Sequence, residues 1–387
     1  MSIITLPKMD RIILSNDAKV TLNEEVSRLG ANRVFLIAST TLSRKTTVVD
    51  ELAQALGKRF AGLYMDIAPH TPSASIIACA KSARHAYADL IVTVGGGSIT
   101  DAGKIAALCM SQEIERPEQL KPFFNSLDAD GNRHEPVFSP PDARVICIPT
   151  TLSGGEFNYR AGLTDTQSAT KHIIGHPMMI PSSVILSPDI SKHTPRELFL
   201  STGIRALDHA IETLCSIDAN PYTDALAIQA IKLLYKGLQE VQNNEANNAA
   251  RLDCHVGALL SMTGVVGRLR LGASHAIGHV LGARAGMPHG HTSCVMLATV
   301  MRYNESNLEQ HFSKISEAMG SQDRSPSDQV AHLVQDLHLP HRLRDCGVTM
   351  EMLPGLAQAC MSEPWIYSNC APIKSWQDVL GLLEAAY

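Results

Sequence analysis

The sequence predicts an α/β domain built on a parallel sheet over residues 1–190, followed by an all-α domain over residues 191–387. A chain of 387 residues is too long for one hydrophobic core and is typical of two domains. In the first half, short apolar runs rich in β-branched residues alternate with helical stretches, which indicates βαβ units and a mostly parallel sheet. In the second half, strand signals almost vanish and helical periodicity dominates.

The predicted sheet consists of short apolar runs, each bounded by polar or turn-forming residues. The run at residues 90–94 leads straight into consecutive glycines, and a helix is expected to follow through Asp101 and Lys104. A further helical pattern covers residues 74–88, whereas the polar, proline-rich segment 111–142 is expected at the surface. The predicted strands cover residues 33–39, 62–67, 90–94, 144–148 and 183–186.

The predicted helical domain starts at Thr194-Pro195, because proline is favoured in the first turn of a helix. Apolar residues at helical spacing then predict the helices that follow. These cover residues 225–239, 251–268, 295–303 and 326–337.

Composition excludes several classes of function. The formal net charge is −5 and aromatic residues make up 5% of the chain, so neither a basic surface nor stacking platforms for nucleic acid are expected. No apolar stretch approaches the ~18 residues of a membrane span. The nine cysteines form no C-x-x-C pair, which favours reduced thiols in a cytoplasmic enzyme.

The first candidate site is the loop Gly95, Gly96, Gly97 and Ser98, which lies between a predicted strand and the helix through Asp101. Glycines let the backbone approach a pyrophosphate closely, and the helix N-terminus offers N–H groups to that anion. The spacing differs from the G-x-G-x-x-G of the common dinucleotide fold. The alternative is a tight turn without a ligand.

The second candidate follows the predicted strand at residues 144–148. The segment contains Thr150, Thr151 and Ser153 together with two glycines, at the end of a strand where open α/β sheets bind ligands. Its hydroxyls would hold nucleotide phosphate or ribose, although an ordinary loop has the same composition.

Histidines provide the third candidate. Arg205 and His209 are four residues apart on a predicted helix and share a face, as do His275 and His279. His289 follows Pro288 at the predicted start of another helix. Such a set is able to bind a divalent metal or transfer protons, and the alternative for each single histidine is a structural role.

Over essentially its whole length the chain resembles the iron-containing (group III) alcohol dehydrogenases. The resemblance rests on GGGSITDAGK (95–104), PTTLSGGE (149–156), STGIRALDHAIE (201–212) and GASHAIGHVLGARAGMPHG (272–290). It implies a Rossmann-like dinucleotide-binding domain, a helical metal-site domain, and hydride transfer in the cleft between them. The same dehydroquinate-synthase-like architecture also serves lyases that return NAD unchanged.

The resemblance also implies a metal held by one aspartate and three histidines. The matching histidines are His209, His275 and His289, and His279 matches a family histidine near the nicotinamide. The aspartate position is Arg205 here, so a ligand is lost and a permanent positive charge is added. We therefore expect zinc or iron binding to be disfavoured, and Asp208 to pair with Arg205.

The maleylacetate reductases are the most similar branch, since they also lack the metal aspartate and carry asparagine there. They share Gly162-Leu163-Thr164 followed by Lys171, and Asp218-Ala219-Asn220-Pro221. Their substrate is a dianion, which suits fixed cations such as Arg205 and, less strongly, Arg160, Arg268 and Arg270. The expected catalytic set is Arg205 holding a carboxylate, His279 supplying a proton, and His209 beside them.

The resemblance implies a nicotinamide cofactor, NAD(H) or NADP(H). The family typically has an aspartate after the first strand that disfavours the 2′-phosphate of NADP(H), and residues 37–41, which include Ser39, contain no carboxylate. A metal-dependent alcohol dehydrogenase using three histidines is the alternative, and a lyase or a non-catalytic relative is less favoured. The substrate is expected to be a small carboxylic acid, and the family favours a homodimer or larger assembly. The predicted cofactor-binding residues are Ser39, Gly95, Gly96, Gly97, Ser98, Asp101, Thr150, Thr151, Ser153 and Lys171.

Overall fold

The computed structural model describes residues 6–127, 133–168, 170–320 and 323–387. The chain divides into two compact units, Leu6–Thr194 and Pro195–Tyr387, and residues 1–5 are outside the described part. The first unit contains all the strands: β1 (Arg11–Leu14), β2 (Val34–Ala38), β3 (Phe60–Tyr64), β4 (Leu90–Gly95), β5 (Ser126–Leu127), β6 (Arg133–His134), β7 (Arg144–Pro149), β8 (Arg160–Thr164), β9 (Lys171–Gly175) and β10 (Ser183–Leu186).

The helices begin in the first unit and make up most of the second. They are α1 (Ala18–Arg28), α2 (Thr40–Lys45), α3 (Val48–Leu56), α4 (Ser73–His85), α5 (Gly97–Ser111), α6 (Pro188–Ser191), α7 (Arg196–Leu214), α8 (Pro221–Asn243), α9 (Asn248–Ser261), α10 (Thr263–Val266), α11 (Ala273–Arg284), α12 (His289–Asn304), α13 (Glu309–Met319), α14 (Pro326–Asp336), α15 (Leu353–Cys360) and α16 (Trp376–Ala385).

The main sheet of the first unit has six strands in the order β1-β10-β7-β4-β2-β3, and every neighbouring pair is parallel. The strands β2 and β4 are buried along their whole length, as their unbroken apolar sequences require in a sheet covered on both faces. The predicted α/β class with a parallel sheet is thereby confirmed.

The carboxyl ends of β2, β4 and β7 lie side by side. The N–H of Ser39, just after β2, donates to the carbonyl of Val94 in β4 at 3.1 Å. The N–H of Thr150, just after β7, donates to the carbonyl of Gly95 at 3.0 Å. The strand order reverses between β2 and β4, and such a switch point is where open α/β sheets bind ligands.

Several predicted boundaries need correction. The strand expected at 62–67 lies at Phe60–Tyr64, and the prediction did not include β1, a largely exposed edge strand of only four residues. The antiparallel hairpin of β8 and β9 was also not predicted. The segment 111–142 contains the small pair β5 and β6, and its residues 128–132 lie outside the described part.

The second unit is helical, as predicted. The helix α8 begins four residues before the predicted start, because Asn220 caps it by accepting from the N–H groups of Tyr222 and Thr223. The helix predicted at 251–268 is divided into α9 and α10. The helix α7 packs against α8, α9 and α12, so its central residues are buried. Within the described ranges, no helix is both long and apolar enough to cross a membrane.

Candidate active site

One face of α7 carries the charged centre of the helical unit. Arg205, Asp208, His209 and Glu212 are spaced by three or four residues, so they project from the same side of the helix. All but Arg205 are counted among the buried polar residues, and the Arg205 side chain is only 11% exposed. Buried charges require partners, and the contacts of these residues define the site.

The guanidinium of Arg205 pairs with the predicted partner. Its Nη1 lies 3.6 Å from Oδ2 of Asp208 and donates to Oγ of Ser293 at 3.0 Å. Burial lowers the pKa of Arg205, but a guanidinium stays charged. Among the described residues, none accepts from Nε or Nη2 of Arg205.

Two serines hold Asp208 in place. Ser293 and Ser274 donate their hydroxyls to Oδ2 of Asp208 at 2.6 and 2.9 Å. Burial raises the pKa of Asp208, and the positive charge of Arg205 opposes that effect. Ser293 therefore accepts from the arginine and donates to the aspartate, which fixes both ions.

Glu212 sets the orientation of His275. One carboxylate oxygen of Glu212 lies 2.7 Å from Nδ1 of His275, and the backbone N–H groups of Gly272 and Ser274 donate to the same carboxylate at 2.9 and 2.8 Å. A carboxylate with these donors keeps the proton on Nδ1, so Nε2 of His275 presents a lone pair.

His209 stacks on His275 with ring centroids 4.7 Å apart. Burial first, and then the proximity of His275 and Arg205, hold the pKa of His209 well below its usual range. Burial and Arg205 have the same effect on the pKa of His275. Both rings are therefore neutral, and neither Nδ1 of His209 nor Nε2 of His275 has a partner within the described chain.

The other two predicted histidines lie at the margin of this cluster. His279 is 38% exposed, and its Nδ1 lies 3.1 Å from a carboxylate oxygen of Glu363. The ring of Trp365 lies 5.2 Å from the ring of His279. His289 is the first residue of α12, and it is near enough to contribute to the low pKa of His209. The structure thus brings together the histidine set that the spacing predicted.

This cluster offers donor atoms to a divalent metal, but its existing hydrogen bonds and the charge of Arg205 oppose one. Donor atoms of Asp208, Glu212 and His275 lie within 4.8 Å of one another, but Glu212 and one oxygen of Asp208 already accept two or more hydrogen bonds each. The charge of Arg205 opposes a proton on either His209 or His275, and it would oppose a doubly charged ion about twice as strongly. Ligation by His209, His275 and His289 remains a prediction.

The glycine loop of the first unit packs closely against the segment that contains Thr151 and Ser153. A Cβ on Gly96 would lie 3.1 Å from the side chain of Thr151, and one on Gly97 would lie 3.0 Å from Oγ of Ser153. The first N–H groups of α5 have no partner inside the helix, so the loop combines close backbone approach with donors for an anion. Thr150, Thr151 and Ser153 lie beside the glycines, as expected.

Other predicted cofactor residues have structural contacts. Oγ of Ser39 caps α2 by accepting from the N–H of Leu42 at 3.3 Å. Asp101 accepts from the N–H of Gly162 at 3.0 Å, and Lys171 lies opposite Thr164 in the β8–β9 hairpin.

Two of the candidate arginines form ion pairs. Arg160 pairs with Glu135 at 2.8 Å and Arg270 pairs with Asp218 at 2.6 Å. The positive charge of each arginine is therefore already paired with a carboxylate of the protein.

Sequence reasoning missed four residues of the site: Glu212, Ser274, Ser293 and Glu363. Glu212 could have been predicted from its spacing, because it lies three residues after His209 on the same helical face. Ser293 and Glu363 had none, since they meet α7 and α11 only through long-range packing.

Comparison with known proteins identifies the family. Residues 9–188 match "Iron-containing alcohol dehydrogenase", and residues 199–387 match "Fe-containing alcohol dehydrogenase family, C-terminal". The dehydrogenase FUM7 of Gibberella moniliformis is 31% identical, over 87% of this chain and 86% of that protein. The 1,3-propanediol dehydrogenase of Citrobacter freundii is 32% identical, over 74% and 73%.

A solved structure agrees with this result. The maleylacetate reductase of Rhizobium sp. strain MTP-10005 superposes with a TM-score of 0.83 and 25% identity, covering 100% of this chain and 98% of that one. Members of the matched family use NAD(H). The chain belongs to the iron-containing alcohol dehydrogenase family and is an NAD(P)-dependent oxidoreductase.

Proposed function

We propose that this protein is a metal-independent NAD(P)H-dependent reductase of a small carboxylate-bearing substrate, of the maleylacetate reductase type. The observation that carries the proposal is the buried guanidinium of Arg205, at the position where the resemblance expects a metal-binding aspartate. A fixed cation with free donors is suited to hold a carboxylate in bidentate fashion. The similarity to a maleylacetate reductase supports the same substrate class.

The chemistry divides between the cofactor and the residues of the helical unit. The bound reduced nicotinamide supplies the hydride. Arg205 holds the substrate carboxylate and stabilises negative charge that develops during the transfer. His279 then donates a proton to the reduced substrate, and Glu363, whose carboxylate lies 3.1 Å from Nδ1, orients the ring of His279.

The first test is the metal content of protein purified without added metal or chelator, with NADH and NADPH oxidation by maleylacetate measured on the same sample. We expect far less than one metal per chain and turnover that survives chelation. One zinc or iron per chain, with activity lost on chelation, would instead identify a metal-dependent alcohol dehydrogenase acting through His209, His275 and His289.

The second test changes the charge of the site. Arg205→Lys keeps the charge but loses the planar fork, and Arg205→Ala loses both, so we expect kcat/KM to fall about 10-fold and 100- to 1000-fold respectively. Arg205→Asp restores the carboxylate that the family uses, and we expect this variant alone to retain zinc. Arg344→Ala, which changes an exposed arginine, is the matched control.

The expected homodimer or larger assembly rests on the family alone. Light scattering of the purified protein measures it directly.

A further inference from the structure

Lys104 is a buried cation in the unit that contains the glycine loop. It lies on α5, its side chain is fully buried, and it ranks among the largest side chains with no exposure. Removing an ammonium from water costs several kcal/mol unless partners replace the water. Its partners therefore indicate what the lysine does.

Backbone carbonyls use all the hydrogen-bonding capacity of this ammonium. Nζ of Lys104 donates to the carbonyls of Gly155, Asn158 and Arg160 at 3.0, 3.2 and 2.5 Å, and Oδ1 of Asp101 lies 3.1 Å away. A lysine ammonium has three protons, so three carbonyls occupy it completely. Lys104 is thus not available to bind substrate or to transfer a proton.

Asp101 extends the same connection. While Oδ1 pairs with Lys104, Oδ2 accepts from the N–H of Gly162 at 3.0 Å. Two side chains of α5 therefore hold the backbone at four points between Gly155 and Gly162.

The segment held in this way directly follows the hydroxyl loop at Thr150–Ser153. That loop packs so closely on Gly96 and Gly97 that a Cβ on either glycine would contact it at 3.1 or 3.0 Å. The hydroxyl loop is anchored on its other side by the N–H of Thr150, which donates to Gly95. The sheet therefore holds the hydroxyl loop at Thr150, and Lys104 holds the segment that follows Ser153.

We propose that Lys104 is a positioning residue for the dinucleotide site, holding the hydroxyl loop against the glycine loop through three backbone carbonyls, with Asp101 as its counter-ion. The inference concerns cofactor affinity and does not depend on the identity of the substrate. It assigns Asp101 to the backbone of the site and not to a direct contact with the dinucleotide.

The test is the affinity for NADH, and in parallel NADPH, measured by the change in nicotinamide fluorescence. Lys104→Met preserves the length and packing of the side chain but removes every donor, so we expect Kd for the preferred dinucleotide to rise at least 10-fold. Asp101→Asn keeps an oxygen for Gly162 but removes the counter-charge, and we expect a rise of about 3-fold. Lys58→Met, at an exposed lysine of the same unit, should leave Kd unchanged.

Steady-state kinetics separate positioning from a general structural effect. A positioning role raises the cofactor KM with kcat within about 3-fold, whereas partial unfolding lowers kcat at unchanged KM. An unchanged Kd in folded Lys104→Met, or a loss confined to kcat, would overturn the inference. If Lys104→Met does not fold, the Kd of Asp101→Asn decides by the same criterion. Failure of maleylacetate as a substrate would leave these binding results intact.

Discussion

At the scale of single residues, the helical unit is organised around two charges that α7 places one turn apart. Arg205 occupies the position where the resemblance implies a metal-binding aspartate, and Asp208 lies three residues later, so the guanidinium finds its counter-ion on its own helix. Ser274, Ser293 and the stacked histidines then pack around an ion pair. A buried pair of this kind is costly to break singly, because the remaining charge loses its partner.

The proton donor provides the first prediction at this scale. His279→Ala removes the imidazole, and we expect kcat to fall 100- to 1000-fold, as general acid catalysis usually contributes that much. Glu363→Gln removes only the carboxylate that orients the ring of His279, so we expect kcat to fall about 10-fold. Stopped-flow measurement of NADH oxidation checks both variants.

The double variant supplies the control. If Glu363 acts only through His279, adding Glu363→Gln to His279→Ala should cost nothing more. If the loss of kcat in the double variant equals the product of the two single losses, Glu363 has a separate role.

The second residue-scale prediction concerns Glu156, a fully buried carboxyl next to the hydroxyl loop. Burial raises the pKa of Glu156 to about 7, from an ordinary value of 4.5. The folded state then holds the proton more tightly, so the stability from this group is fully present below pH ~4.5 and is lost as pH rises through ~7. The shift corresponds to about 3 kcal/mol.

Glu156→Gln mimics the protonated form at every pH. We expect its melting temperature to match that of the wild-type protein near pH 4.5 and to exceed it by several degrees at pH 8. Differential scanning calorimetry at both values checks this. An equal difference at the two pH values would mean that the carboxyl does not titrate between them.

At the scale of elements, helix packing on the sheet depends on glycine at one place in α5. A Cβ on Gly103 would lie 2.2 Å from Cγ2 of Thr93 in the buried strand β4, a distance at which the helix must move. We expect Gly103→Ala to destabilise the protein by about 1–3 kcal/mol, as overpacking does. Denaturant titration monitored by circular dichroism provides the value.

The matched control is Gly381→Ala in α16, where a Cβ would have no neighbour within 4 Å. Alanine is the better helix former, so this variant should be stabilised by up to about 1 kcal/mol. Similar effects of the two substitutions would contradict the packing argument.

Strands and helices that have a distinctive local sequence pattern could be predicted. Those that form only because another strand or helix packs against them could not. The buried strands β2, β4, β7 and β10 were placed to within a residue at each end, because burial on both faces demands continuous apolar sequence. The edge strand β1 has only four residues, is largely exposed, and is held by its pairing with β10.

At the scale of the whole molecule, the candidate site also combines residues that local sequence predicts with residues that only tertiary packing brings in. Residue spacing within one helix predicted that Arg205 and His209 would share a face and that Asp208 would pair with Arg205, and this pairing is confirmed. Ser293 and Glu363 were beyond prediction, since they reach the cluster only through the packing of distant segments. The role of Asp101 as a backbone acceptor likewise depended on Gly162, far along the chain.

The last prediction uses the division of the chain into two units, each with its own hydrophobic core. If the dinucleotide binds at the glycine loop, saturating NADH should slow amide hydrogen exchange most at Ser39, at Gly95–Ser98 and at Thr150–Ser153, within the unit Leu6–Thr194. A ligand that binds only the folded state suppresses opening of the elements it contacts, by a factor that grows with ligand concentration over Kd. Exchange in α16, whose residues belong to the core of the other unit, serves as the internal reference. Hydrogen exchange followed by mass spectrometry on the intact protein measures all these segments together. If NADH protected other segments but not the glycine loop, the cofactor site would lie elsewhere and the role proposed for Lys104 would be wrong.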